Sequence, residues 1–221
     1  MFTIKEFLRS EVKPALGCTE PGAVALAVSR ASEELQDRSA IELITVKVSD
    51  SIYKNGMAVG IPGAYGAKGN AVAASLAALC GKSSYGLEAL QDCRLELVPP
   101  AEAMVRKGQV RIIRCADIEG LLIDATVQTQ KETARCVISG AHTNIVRIEY
   151  CGRILFESST SSAAGTAPNT VYEQMISCYF MDMLSLADKV DEEDMVYLQS
   201  GVTMNRKMAD YGVSEAFTTG I

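Results

Sequence analysis

The sequence predicts an α+β protein: an antiparallel sheet with helices on one face, inserted into a helical domain formed by the N- and C-terminal segments. Three observations carry this. Residues 41–157 hold runs of alternating, β-branched-rich sequence, and the chain on either side repeats its apolar residues at helical spacing. The strand-like runs are joined by short connections that often contain Gly, the mark of neighbouring antiparallel strands. Two regions follow, an α+β domain over 41–157 and an incomplete helical domain over 1–40 and 158–221.

Phe2, Ile4, Phe7 and Leu8 form a short amphipathic helix, interrupted by GCTEPG. A second helix follows with Ala23, Ala25, Leu26, Ala27, Ala31 and Leu35. Thr19 is its expected cap, Pro21 suits its first turn, and Glu20 complements the positive end of its macrodipole. IELITVKVS reads as the first strand. A glycine-rich stretch, KNGMAVGIPGAYGAKGN, leads into an alanine-rich helix near 70–80. Pro99 and Pro100 open a helix over 98–107 that Gly108 closes. QVRIIRCA, GLLIDATVQT, ETARCVISG, NIVRIEY and GRILFE then read as five successive strands of a meander. SSTSSAAGTAPN is a polar linker. Met175, Tyr179, Met183 and Leu186 mark a helix, and another is expected over 191–211.

Composition removes several function classes. With 48% hydrophobic residues the chain is no disordered protein. The formal net charge of −6 argues against binding nucleic acid or an anionic membrane surface. No apolar run is long enough to span a bilayer, and the charged N-terminus does not resemble a signal peptide, so a cytoplasmic protein is expected. Seven cysteines in a reducing compartment, with no CxxC pair, predict neither a disulfide framework nor a zinc ribbon. His142 is the sole histidine, which disfavours triad hydrolysis and His-rich zinc sites.

Three segments carry candidate chemistry. GCTEPG places the Cys18 thiol at a helix start, where backbone amides favour a thiolate able to act as nucleophile or metal ligand. A buried free cysteine that behaves as a small apolar residue is the competing reading. The glycine-rich segment 50–70 lets backbone approach a ligand, with Lys54 or Lys68 to hold an anion; a simple strand-to-helix connection is the alternative. In the GAHTNI turn, His142 is a general base, a hydrogen-bond donor to substrate or an idle surface residue. Cys80, Cys93, Cys115, Cys136, Cys151 and Cys178 read as core filler.

The segments EVKPALGCTEPGAVALAVSRA, SDSIYKNGMAVGIPG, ISGAHTNIV and MNRKMADYG, in this order, resemble the L-cysteine desulfidase family, related to the iron–sulfur L-serine dehydratases. The resemblance covers essentially the whole chain. It implies a lyase that eliminates sulfide from L-cysteine, or water from L-serine, to give pyruvate and ammonia. It further implies a [4Fe–4S] cluster held by three cysteines, with an open iron acting as Lewis acid, and no pyridoxal phosphate. Carried onto this sequence, Cys18 matches the first cluster ligand. Asn55, Gly56, Gly60, Ile61, Pro62 and Gly63 match a substrate-facing loop, with Ser51 and Lys54 beside it. His142, Thr143 and Asn144 match a turn next to substrate or cluster. The general base is not named by the resemblance.

In one respect the chain departs from that pattern. The family's remaining cluster cysteines lie in a C-terminal half, and no cysteine here matches them. The expectation is therefore half an enzyme, either truncated or split, whose missing half or second subunit completes the site. Two alternatives stand beside it: a non-catalytic module that binds a small amino acid or another protein, and a remnant whose C-terminal helices expose apolar stripes and drive homo-oligomerisation.

Overall fold

The computed structural model of the protein describes residues 2–12, 18–116, 118–158 and 170–214, with the backbone alone at 170, 172, 173 and 214. The first elements are α1 (Ile4–Glu11), α2 (Thr19–Ser32), β1 (Leu43–Ser49), α3 (Asp50–Asn55), α4 (Asn70–Cys80) and α5 (Val98–Arg106). Five strands follow, β2 (Val110–Cys115), β3 (Leu122–Gln128), β4 (Thr133–Ser139), β5 (Ile145–Tyr150) and β6 (Arg153–Glu157). The chain then forms α6 (Thr170–Ile176), α7 (Phe180–Ala187) and α8 (Glu192–Ser214). The expected linker lies, but for Ser158, outside the described residues.

The chain divides into two units, Ala15–Thr166 and the pair of terminal segments Met1–Pro14 and Ala167–Ile221. The sequence expectation joined all of residues 1–40 to the C-terminal helices, but only α1 goes with them. The reason lies in α2, which is apolar nearly all round and buried from Pro21 to Ser29. A helix with no polar face has to be enclosed, and α2 packs between α4 and strands β3 and β4.

The sheet runs β2-β1-β3-β4-β5-β6. All neighbours are antiparallel except β1 and β2, which pair in parallel with Ile44 opposite Val110. The expected meander therefore holds from β3 to β6. The parallel pair arises because α4 and α5 lie between its two strands, and parallel neighbours need such a crossover. Alternation sorts the faces. Ile44, Val46 and Val48, Ile123, Ala125 and Val127, and Ala134, Cys136 and Ile138 are all buried and share one core with α2 and α4. Cys136 is filler there, and burial pushes its thiol up to about 12. The opposite face is polar. Arg135 makes a bidentate pair with Asp124, at 2.7 and 2.9 Å, and reaches Glu149 at 3.2 Å.

The terminal unit is held differently. A capping box between Thr3 and Glu6 starts α1. Phe2, Val171 and Leu186 form a small buried cluster. Lys5 pairs with Asp191 at 3.1 Å and Glu193 at 2.7 Å, and the Tyr197 hydroxyl donates to the Val12 carbonyl.

Candidate functional site

One end of the sheet collects the candidate residues. Val48 at the end of β1 faces Ile123, Leu122 faces Ser139, and the β4–β5 turn closes at the same edge. There β1 runs without a break into α3, whose last residue is Asn55. Gly140, with φ +80°, turns the chain from β4 into the segment bearing His142.

Helix α2 starts at this end. Its cap is Cys18 rather than the expected Thr19, and Thr19 is its first helical residue. The Cys18 thiol donates to Glu20 Oε2 at 2.7 Å, and Asn55 Nδ2 donates to Glu20 Oε1 at 2.9 Å. The Thr19 hydroxyl lies 3.5 Å from Oε2. Burial by itself would raise the Glu20 carboxyl. The hydrogen bonds from Cys18 and Asn55, that from its own backbone amide and the His142 charge together hold it below its ordinary value. Cys18 and Asn55, flagged in separate sequence motifs, thus hydrogen-bond the two oxygens of one carboxylate, and His142, from a third motif, acts on it through its charge alone.

Two expectations change here. The helix start was expected to lower the Cys18 thiol. It is instead raised, first by burial and then by the adjacent Glu20 carboxylate. Glu20 itself was read as a partner of the helix dipole alone. The signal for more was its place two residues after Cys18, but only the fold brings Asn55 onto its other oxygen.

The remaining candidates have structural roles of their own. Gly56 is buried at the end of α3, and a Cβ there would stand 2.1 Å from Asn70 Oδ1. That close approach lets Asn70 Nδ2 donate to the Ile52 carbonyl at 2.9 Å. Gly60 bridges Lys68 across the base of the loop, with open space where a Cβ would sit. Gly63 adopts φ +75° against the Leu90 carbonyl. Ile61 is buried and Pro62 half-buried, while Ser51 and Lys54 are exposed on α3. Asn144 holds the hairpin, donating from Nδ2 to the Ser139 carbonyl at 2.8 Å. Thr143 is exposed at the tip of that turn.

The fit of an iron–sulfur cluster rests on donors. A [4Fe–4S] cluster needs three or four thiolates. Among the described residues no group of three or more His, Cys, Asp or Glu side chains is placed to hold a metal ion, and Cys18 is the only cysteine beside Glu20. The described residues alone therefore do not fit the cluster.

Comparison with known proteins places the chain more broadly. Its homologues are proteins named UPF0597. It is 39% identical to one from Kosmotoga olearia over 218 residues, 99% of this chain and 51% of that protein. It is 40% identical to one from Geobacter sulfurreducens over 209 residues, 94% of this chain and 48% of that one. With one from Desulfatibacillum aliphaticivorans the identity is 35% over 224 residues, all of this chain and 51% of the relative. The chain spans about half the length of the curated relatives it matches. Their shared name states no activity, ligand or partner. No family model and no solved structure matches the chain. Among the described residues no helix is long and apolar enough to cross a membrane.

Proposed function

We propose that the chain is one half of a lyase that removes sulfide from L-cysteine or water from L-serine. The observation that supports this is the grouping of Cys18, Glu20, Asn55 and His142, which reach one sheet end from three separate motifs. In this reading Cys18 supplies one thiolate, and the other cluster ligands come from outside these 221 residues. Glu20, fixed by Asn55, orients Cys18. Asn55 and His142 offer donors to a substrate carboxylate, with Gly56, Gly60, Gly63, Thr143 and Asn144 shaping the surrounding loops. Elimination leaves an enamine that tautomerises to an imine, and hydrolysis of that imine consumes water and yields pyruvate and ammonia. Seven free thiols suit a protein working in the reducing cytoplasm.

The test combines this chain with the unmatched half of the Kosmotoga relative, adds iron and sulfide without oxygen, and measures pyruvate from L-cysteine and L-serine. Turnover in the mixture, and none with Cys18→Ala, is the expected result. Turnover by this chain alone without iron overturns it. That Cys18 is the only cysteine beside Glu20 among the described residues favours a second reading, a non-catalytic amino-acid-binding module. Calorimetry showing L-serine or L-cysteine binding, with no turnover in the mixture, selects that reading.

A further inference from the structure

The terminal unit leaves most of its apolar surface uncovered. Among its described residues only Phe2, Leu8, Val171 and Leu186 are buried apolar side chains. Helix α7 turns Leu186 into that cluster and presents a second stripe elsewhere. Phe180, Met183, Leu184 and Ala187 recur at i, i+3, i+4 and i+7, the spacing of a helix face meant for burial. They are exposed, Phe180 at 70% and Leu184 at 48%.

Helix α8 repeats the pattern. Its Tyr197 packs on the end of α1 through the bond to Val12. Seven and eleven residues further on, the same face carries Met204 and Met208, exposed at 46% and 70%. They belong to MNRKMADYG, the one resemblance motif with no part in the site described above. Soluble proteins rarely leave such contiguous apolar stripes open unless something docks on them. Methionines suit docking, because the flexible thioether adapts to an incoming surface.

The relatives indicate the occupant. Each matches this chain along nearly its whole length, yet that match covers only 47–51% of the relative. About as much chain again accompanies this segment in every one of them. A helical unit with so small a core does not supply its own stability, and a core completed by further chain does. We infer that the stripes Phe180–Met183–Leu184–Ala187 and Met204–Met208 are a docking face for the half that the UPF0597 relatives carry beyond their match to this sequence. The incoming surface is apolar, burying its own stripe against α7 and α8. The inference shares with the lyase reading the need for a second half, but not its chemistry.

The test titrates this 221-residue chain with the unmatched halves of the Kosmotoga, Geobacter and Desulfatibacillum relatives, following complex mass by light scattering. A one-to-one complex with at least one half is expected. The variants Phe180→Glu with Leu184→Glu, and Met204→Glu with Met208→Glu, are expected to weaken it by about a hundredfold or more. Circular dichroism of each variant checks that the sheet unit still folds. Failure of all three halves to bind, or binding unchanged by both variants, overturns the inference. A homodimer of this chain that the same variants dissociate, with no binding of any half, assigns the face to a second copy and also overturns it. Complex formation without pyruvate production keeps the docking face and removes the lyase reading. Turnover that survives both variants with unchanged affinity does the reverse.

Discussion

The sheet unit and the terminal unit use the same kinds of residue to opposite ends. In the sheet unit, alternate residues of β1, β3 and β4 meet α2 and α4, and the apolar side chains of that layer close on one another completely. In the terminal unit, α7 and α8 have equally regular apolar stripes, but most face outward. Amphipathic patterning by itself therefore does not build a core. A stripe stabilises only where the fold brings a second apolar surface to it.

The comparison is broken most directly by cutting into each region. Ile123→Ala removes a fully buried side chain and is expected to cost about 3–4 kcal/mol in chemical denaturation of the sheet unit. A loss below about 1 kcal/mol would show that the layer is looser than described. Gly56→Ala forces a methyl group onto the Asn70 side chain and is expected to cost about 1–3 kcal/mol. Asn70→Ala in the same background should recover part of that loss, measured in the same denaturation experiment. In the other region, Met208→Ala in the isolated chain should change stability by no more than about 0.5 kcal/mol, because the side chain is exposed at 70%. A larger loss would mean that the stripe is already covered in the chain alone.

The candidate site gives a pH test. Burial and the Glu20 carboxylate raise the Cys18 thiol, so its alkylation should reach half-maximal rate at a higher pH than that of an unperturbed cysteine. Glu20→Gln removes the neighbouring charge and should move that midpoint to lower pH. Mass spectrometry of the tryptic peptide, after timed exposure to iodoacetamide, reads both directions. A midpoint that does not move would remove Glu20 from control of the thiol.

Much of this was legible in the residues themselves. IELITVKVS and the five later runs alternate, and each became a strand. Pro99 and Pro100 opened α5, and Gly108, at φ +73°, closed it. The placement of α2 was less legible. Its alanines announced a helix, but a helix apolar all round does not say which surface will enclose it. The parallel pairing of β1 with β2 was hidden for a similar reason, since each strand's alternation is the same whichever neighbour it takes. At the site, Cys18, Asn55 and His142 stood out within their motifs, whereas Glu20 looked like an ordinary first-turn carboxylate.

Local chemistry, then, determined the elements: period-two and period-3.6 patterns, prolines at helix starts and glycines at turns act over a few neighbouring residues and need no partner. The tertiary structure decided the rest. It chose which strand lies beside β1, which apolar stripes are buried, and that Asn55 and Cys18 share the two oxygens of Glu20. Those outcomes depend on groups far apart in the chain, and a hydrogen bond or a buried contact exists only once folding has brought both of its sides together.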